Sequence, residues 1–201
     1  MKRSTILLIL AGFSIAVILG CITARYTERE VSGLDKKLDM FTYIEEGDLV
    51  ALIVCTHATR YREGDQYIPV EVAVANKGLN NLTLTRESFT LIDELGNKYP
   101  MVPSKELLDN YDKQDFDNRL SHVLGVVMHK FELYTLEESN FAPERFSTRI
   151  IYDKVELTKF SYTVDMIYFK QPETGLKGKK FELFLTASEL EEPIFVKFMV
   201  E

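Results

Sequence analysis

The chain contains three histidines, whose imidazole side chains can bind metal ions or transfer protons. His122 and His129 are seven positions apart, so a helix would place them on one face about two turns from each other. Two ligands on one helix share a metal ion when they are three or four positions apart. A shared site would therefore need a ligand from a loop or a second chain. His57 lies at the end of a predicted strand, and we predict no metal site.

Four aspartates crowd the segment LLDNYDKQDFDNR, at positions 109, 112, 115 and 117. An EF-hand calcium loop needs a glycine at its sixth position and a glutamate at its twelfth. Counted from Asp115, those positions hold Leu120 and Val126. The pattern therefore excludes an EF-hand. It is typical of helix caps and a solvated face, with a looser calcium site or a cationic partner as the alternative.

The chain has none of the short motifs that carry catalysis. It lacks a Gly-x-Ser-x-Gly elbow, a glycine-rich phosphate loop, a Cys-x-x-Cys pair and a His-Glu-x-x-His helix. Nothing singles out two of its 31 acidic residues as the carboxylate pair of a glycosidase. We therefore predict that the protein is not an enzyme and uses no cofactor.

The two cysteines stand in different apolar settings. Cys55 lies within ALIVCTH, where a free cysteine behaves as a small buried hydrophobe with a raised pKa. Cys21 ends the apolar run ILLILAGFSIAVILG, which follows the basic pair Lys2-Arg3. A basic start, a short apolar segment and a small residue are the layout of a secretory signal. The run is shorter than the roughly 20 apolar residues that a membrane span needs.

Residues 18–21, Ile-Leu-Gly-Cys, resemble the lipobox of bacterial lipoproteins. The resemblance implies that residues 1–20 are a signal peptide and that Cys21 carries fatty acyl chains such as palmitate. Each buried methylene contributes about 0.8 kcal/mol, so two or three chains anchor a protein firmly. The implied location is the cell membrane or outer membrane, facing outside the cytoplasm. The alternative is an uncleaved signal anchor, in which Cys21 is one more apolar residue.

The composition is that of an ordinary globular protein with an acidic balance. The 201 residues are 46% hydrophobic and 27% charged, and the formal net charge is −7. Binding to nucleic acid needs clustered basic residues that displace counterions. Since the sequence has no such cluster, we predict that the chain does not bind nucleic acid. Its length indicates one folded domain with an extension.

Residues 21–46 form the predicted tether between the lipidated cysteine and the folded domain at 47–201. Val31, Leu34, Leu38 and Phe41 recur at helical spacing, which favours a short helix packed on the domain. The alternatives are a helix that binds a partner or the membrane surface, and a disordered tether.

From residue 48 onward the pattern changes to strands. DLVALIVC is apolar on both faces, as in a strand buried within a sheet. YIPVEVAVAN alternates, with Glu71 opposite the face of Ile68, Val70, Val72 and Val74. Further strands are predicted within LTLTRESFTLIDELGNKYP and at RFSTRIIY, VDMIYFK, KFELFLTA and PIFVKFMV. About seven short strands separated by turns indicate a mainly β protein, built as a β-sandwich.

One segment, at about 104–132, follows a helical period instead. Its apolar residues are Phe116, Leu120, Val123, Leu124, Val127 and Phe131. Their spacing lines one face of a helix. We predict a helical insertion between two strands, and long connections of this kind carry function more often than the strands do.

The stretch GDQYIPVEVAVANKGLNNLTLTRESFTLIDELGNKYP, residues 64–100, resembles an uncharacterised telokin-like (immunoglobulin-like) domain found in exported bacterial lipoproteins. The matching positions are Gly64, Tyr67, Asn76, Gly78, Phe89, Leu91, Asp93, Gly96 and Tyr99. The resemblance implies an immunoglobulin-like β-sandwich that serves as an exported, anchored interaction module. The residues themselves indicate hairpin turns and packing, and none of them is assigned a catalytic role.

These patterns together predict a membrane-anchored exported lipoprotein that acts as a non-catalytic protein-interaction module of the cell envelope. Its partners would be the membrane, through the N-terminal lipid, and another envelope protein. The predicted contact residues are Leu107, Leu108, Tyr111, Phe116 and His122, with the tether helix as a second candidate surface. The alternative is a small-ligand or metal-ion binding lipoprotein associated with a transporter, and an envelope hydrolase is a more distant third.

Overall fold

The structure, a computed structural model, describes residues 34–142 and 154–201. They form a mainly β fold of several sheets, so the predicted class is confirmed at this level. The strands are β1 (Lys36–Lys37), β2 (Thr42–Glu46), β3 (Val50–Cys55), β4 (Tyr67–Asn76), β5 (Asn81–Thr85), β6 (Phe89–Asp93), β7 (Lys98–Pro100), β8 (Thr135–Leu136), β9 (Lys154–Thr158), β10 (Ser161–Lys170), β11 (Lys180–Leu185) and β12 (Ile194–Met199). The helices are α1 (Ser104–Asn110), α2 (Gln114–Arg119) and α3 (Val123–Lys130), with short 3-10 turns at Thr59–Tyr61 and Arg86–Ser88.

The described ranges hold twelve strands, more than the seven predicted. Residue periodicity does not detect strands of two or three residues such as β1, β7 and β8. The predicted strand RFSTRIIY lies outside the described residues, as do the predicted signal peptide at 1–20 and Cys21.

The strands form three sheets. The largest has the order β1-β2-β3-β4-β10-β8, the second β12-β11-β6-β7, and the third pairs β5 with β9. All pairs within them are antiparallel except β8 with β10. The two larger sheets contact each other through Tyr43 of β2 and Phe198 of β12, whose ring centroids are 6.3 Å apart.

The central strands β3 and β4 are buried on both faces, which accounts for their apolar composition. One face packs against Val123 and Val127 of α3. This face carries small residues: Ala51, Ala73 and Ala75. Small side chains let a helix approach a sheet closely, while the alternating valines of β4 point to the opposite face. Glu71 lies on the same side of β4 as the alanines, next to the start of α3.

The predicted tether helix is wrong for the described residues 34–46, which form β1 and β2. β2 pairs with β3 over five residues, from Thr42 opposite Cys55 to Glu46 opposite Ala51. Backbone pairing along the edge of a buried strand stabilises this segment more than helix propensity does. Leu38 and Phe41 still pack against the core below α3. The compact unit accordingly begins at Asp35 rather than at residue 47.

Residues of the telokin-like sequence pattern form hydrogen bonds at two turns. Asp93 accepts hydrogen bonds from the backbone N–H groups of Leu95 and Asn97 and from the Tyr99 hydroxyl. Gly96 between them has a φ of +84°, a conformation that favours glycine. Asn76, at the end of β4, donates from its side chain to the carbonyl oxygens of Leu79 and Leu157. These residues therefore have structural roles in the turns.

The predicted insertion contains three short helices, α1, α2 and α3. α1 packs through Leu107 against Tyr67 and Tyr168 at one end of the largest sheet. α3 crosses the outer face of β3 and β4. None of the helices in the described ranges is long and apolar enough to cross a membrane.

The largest sheet has two ends, which we name after β3. At the Val50 end, Val50 and Ser161 both lie opposite Asn76. At the Cys55 end, Cys55 lies opposite Thr42, and Lys170 opposite Tyr67. With a rise of about 3.3 Å per residue, the two ends of β3 are roughly 17 Å apart.

Candidate functional site

Four rings meet at the Cys55 end of the largest sheet and form what we call the histidine cluster: Phe41, His57, Tyr61 and His122. The His57 ring stacks on Phe41 with centroids 5.0 Å apart. The centroids of Tyr61 and His122 lie 5.9 Å and 6.0 Å from the His57 ring. Tyr61 is 51% exposed and the His122 side chain 49% exposed. The histidine cluster therefore presents aromatic surface to solvent.

Hydrogen bonds orient both imidazole rings of the histidine cluster. His57 Nδ1 lies 3.0 Å from the Leu120 carbonyl oxygen, which only accepts, so Nδ1 carries the proton. His122 Nε2 lies 3.0 Å from Asp39 Oδ2 and donates to it in the same way. Asp39 has a lowered pKa: burial acts against ionisation, but hydrogen bonds from the Phe41 backbone and His122 outweigh it. Both rings are thus held by groups distant in sequence.

Glu71 positions His122 by capping helix α3. Its buried carboxylate accepts from the backbone N–H groups of His122 at 2.8 Å and Val123 at 3.1 Å, and from the Ser121 hydroxyl. Anions at a helix N-terminus satisfy unpaired N–H groups and interact favourably with the helix dipole. The charge in the alternating strand therefore fixes the start of the helix above it.

A buried ion pair holds the rest of the insertion against the loop after β3. Asp117 Oδ1 accepts from Arg62 Nε at 2.7 Å and from a second guanidinium nitrogen, and Oδ2 accepts from the Tyr111 hydroxyl at 2.7 Å. Burial raises the pKa of Asp117, while the hydrogen bonds from Tyr111 and Arg62 oppose that shift. Burial and the Asp117 carboxylate raise the pKa of Tyr111, which therefore stays a donor.

Arginines lie over the exposed rings of this region. The Arg60 guanidinium carbon is 4.7 Å from the Phe41 centroid and 5.4 Å from that of Tyr61. Arg62 lies 4.9 Å from the ring centroid of Phe116, which is 49% exposed. Cation–π contacts of this kind restrict the rings. Surfaces rich in Tyr, Phe and Arg are typical of the centres of protein–protein interfaces.

The five predicted contact residues divide by exposure. Leu107 and Tyr111 are buried, which removes them from any surface, because α1 turns them toward Tyr67 and Tyr168. Leu108 is half-buried, whereas Phe116 and His122 are exposed. The structure brings Phe116 and His122 to the same end of the sheet, one beside Arg62 and the other beside His57.

The interpretation of Cys55 as a core residue is confirmed. It is a free, fully buried cysteine on the face of β3 that packs against α3. Burial raises the pKa of the Cys55 thiol to about 12. A thiol in this state is a poor nucleophile and a poor metal ligand.

Among residues 34–142 and 154–201, no group of three or more His, Cys, Asp or Glu side chains is arranged to hold a metal ion. Of the four clustered aspartates, Asp117 is buried in its pair with Arg62. Asp109, Asp112 and Asp115 are exposed.

Sequence reasoning missed the residues that build this end of the molecule. Asp39, Tyr61 and Arg62 belong to no recognisable sequence motif. Arg62 is 55 positions from its partner Asp117, and Asp39 is 83 positions from its partner His122. Glu71 could have been recognised from the sequence, because it is the one charged residue within the otherwise apolar strand β4. A charge at such a position predicts a buried polar partner.

No protein-family model matches the chain, and no curated protein matches it. Among solved structures, the chain is similar to a Bacillus subtilis protein described as a "putative lipoprotein (ycdA)". The two are 15% identical, with a TM-score of 0.41, over a match that covers 78% of this chain and 38% of the other. The chain therefore spans less than half the length of that protein.

Proposed function

We propose that this chain is an exported lipoprotein, anchored by acyl chains on Cys21, whose domain binds another envelope protein without catalysing a reaction. The observation that carries the binding role is the exposure of Tyr61, Phe116 and His122 at one end of the domain. Each of them is held by a contact to a group that is itself fixed: His57, Arg62 and Asp39. Exposed rings that are already ordered lose little entropy on binding, so they suit a specific protein partner.

The anchor is supported by the first 21 residues of the sequence. A basic pair and a short apolar run have the layout of a secretory signal, and the sequence Ile-Leu-Gly-Cys that follows resembles a lipobox, which supports lipid attachment at Cys21. Attachment confines the domain to a thin layer above the membrane and raises its effective concentration for envelope proteins.

We further infer an immunoglobulin-like β-sandwich related to the telokin-like domains. Support comes from the contact between the two larger sheets and from the Asp93 turn, whose residues are those of the sequence pattern. The insertion at about 104–132 would be an addition to that architecture, and it supplies Phe116 and His122 to the exposed end.

Intact mass of the protein extracted from membranes tests the anchor. We expect a chain that lacks residues 1–20 and carries acyl mass at Cys21. A Cys21→Ser variant is the matched control and should stay unprocessed and unacylated. An unprocessed, unacylated wild-type chain would instead establish the signal anchor.

Site-specific photo-crosslinking in intact cells tests the binding role. A photoreactive residue at Tyr61 should give one defined adduct with an envelope protein, and a Phe116→Ser substitution should abolish it. The control position is Leu95, which is 71% exposed in the turn between β6 and β7. Identical adducts from both positions, or none from Tyr61, would contradict the proposal.

A further inference from the structure

The Val50 end of the largest sheet exposes three large apolar side chains from three separate connections. Leu133 is 89% exposed, and Leu49 and Phe160 are each 49% exposed. Leu49 lies between β2 and β3, Leu133 between α3 and β8, and Phe160 between β9 and β10. Isolated apolar side chains on a surface need no explanation, but three large ones at one end of a sheet indicate a surface that contacts another phase or molecule.

Hydrogen bonds bring these three connections together. The Leu49 carbonyl oxygen accepts from the backbone N–H groups of Lys77 and Gly78, just after β4. Phe160 donates to the Asn76 carbonyl oxygen at 2.8 Å, and its own carbonyl accepts from Thr135 at 3.0 Å. The three connections are therefore linked through their backbones at one end of the sheet.

Phe160 is held in a strained conformation at this end. Its φ of 61° is the one positive φ of a non-glycine residue among the described ranges. A bulky residue in the left-handed region is uncommon and costs on the order of 1 kcal/mol or more. The turn keeps a phenylalanine where glycine or asparagine would fit better, and the result is an exposed ring.

The path of the chain before β1 indicates which partner contacts the Val50 end. β1 runs antiparallel to β2, with Lys36 opposite Ile44 and Lys37 opposite Tyr43. The residue before β1, Asp35, therefore lies toward Glu46, on the side of the Val50 end. Fourteen residue steps separate Cys21 from Asp35 and could span at most roughly 50 Å. The described chain therefore begins on the side of the domain that carries Leu49, Leu133 and Phe160, and this attachment point favours the bilayer as the surface that those side chains contact.

We propose that the Val50 end rests on the bilayer surface, with Leu49, Leu133 and Phe160 inserted among the lipid headgroups. The inference depends on the lipid anchor of the proposed function and adds a defined orientation to it. Charge at this end is balanced: Lys77 and Lys130 pair with Glu46, and Lys159, Asp48 and Glu132 lie in the same three connections as the apolar side chains. Apolar insertion rather than attraction to anionic lipid drives the contact. The histidine cluster then faces away from the membrane.

Depth-dependent fluorescence quenching of the full chain tests this orientation. Acylation blocks Cys21 and burial protects Cys55, so a cysteine introduced at the surface takes a thiol-reactive fluorophore selectively. The probe position is Leu133→Cys. The matched control is Met40→Cys, 65% exposed at the Cys55 end of the same sheet. Both proteins are reconstituted in phosphatidylcholine vesicles that contain lipids with a nitroxide near the headgroup.

We expect the fluorophore at Leu133→Cys to lose most of its emission and that at Met40→Cys to lose none. A Leu49→Ser, Phe160→Ser background should weaken quenching at Leu133→Cys. Adding phosphatidylglycerol should leave both results unchanged. Equal quenching at the two positions, or stronger quenching at Met40→Cys, would overturn the orientation. A disulfide between two Leu133→Cys chains would assign the patch to a second copy instead.

The intact mass of the same samples separates this inference from the anchor. An acylated chain with equal quenching at both positions would overturn the orientation alone. A chain without acyl groups would overturn the anchor and, with it, the argument for a bilayer at the Val50 end.

Discussion

The two ends of the largest sheet both expose large apolar side chains, but they hold them differently. At the Cys55 end, Tyr61, Phe116 and His122 are fixed by partners distant in sequence, and a buried Arg62–Asp117 pair lies beneath them. At the Val50 end, Leu49 and Leu133 extend from short turns and Phe160 contacts the Tyr134 ring, and the ion pairs beside them, such as Lys130 with Glu46, are 26% and 38% exposed.

This difference corresponds to the demands of two kinds of partner. A protein surface has a fixed shape, so a complementary site gains affinity when its side chains are ordered before binding. A bilayer interface is fluid and adapts to whatever apolar group enters it, so it needs exposure and not a fixed geometry. Under the two proposals, the ordered side chains of the Cys55 end suit a protein partner and the exposed apolar groups of the Val50 end suit lipid.

The largest difference in stability between the two ends should appear when one basic side chain of an ion pair is removed from each end. We expect Arg62→Ala to lower the free energy of unfolding by about 3–5 kcal/mol, because it leaves the buried Asp117 carboxylate without its cation. Lys130→Ala, which breaks the exposed pair with Glu46, should cost no more than about 1 kcal/mol. Urea unfolding measures both. Losses of similar size would mean that the two ends are equally rigid.

A second test concerns the cap on α3. Glu71→Ala should lower the free energy of unfolding by about 2 kcal/mol, since the backbone N–H groups of His122 and Val123 lose their acceptor. Glu71→Gln keeps an acceptor oxygen and should cost less. Hydrogen exchange at those two amides should accelerate in Glu71→Ala. Unchanged exchange would show that Glu71 does not order the Cys55 end.

The pH dependence of stability tests a buried carboxyl group in the middle of the sheet, between the two ends. Burial raises the pKa of Asp165, in the middle of β10, from 3.8 to about 6. Between these values the folded state binds more protons than the unfolded state, so stability falls as pH rises from about 4 to about 6, by roughly 1–2 kcal/mol. Asp39, at the Cys55 end, has a lowered pKa and loses its contribution only below pH 3.8.

Urea unfolding of wild type and Asp165→Asn at pH 4 and pH 6 measures this dependence. The variant should lose the part of the dependence that Asp165 contributes, while Asp117, whose pKa burial also raises, keeps a contribution of the same sign. A dependence that is unchanged in Asp165→Asn would assign the titration to another group.

The smallest expected effect is at the strained turn. Phe160→Gly should leave stability unchanged or raise it by up to about 1 kcal/mol, because glycine adopts a φ of 61° without strain. The lost contact between the Phe160 and Tyr134 rings offsets part of the gain. Tyr61→Gly at the Cys55 end should instead lower stability by about 1 kcal/mol. Thermal unfolding compares them, and a clear loss in Phe160→Gly would make its ring a structural element.

Much of the strand architecture was predictable because it depends on local alternation. β4 forms where alternation predicts a strand, although its second face, that of Glu71, is also buried because α3 covers it, and the helical period at 104–132 falls where α1, α2 and α3 form. The helix predicted at Val31–Phe41 failed over its described part because its apolar spacing also suits packing beside a buried strand edge. Leu38 and Phe41 pack against the core partly buried, as they would from a helix, so periodicity alone does not distinguish the two structures.

The candidate site was predictable only in part. Phe116 and His122 were named from the insertion, and both are exposed at the Cys55 end. Leu107 and Tyr111 were named with them and are buried, because the rotation of α1 against Tyr168 depends on packing that no short segment records.

The sequence by itself determined what depends on neighbouring residues: the lipobox-like start, the alternation of the strands and the apolar face of the insertion. Tertiary structure alone decided which distant residues meet. Arg62 and Asp117 are 55 positions apart, and Asp39 and His122 are 83 positions apart. Backbone geometry makes local periodicity visible in the sequence, whereas contacts between distant residues follow from strand register and helix docking, which depend on the whole chain.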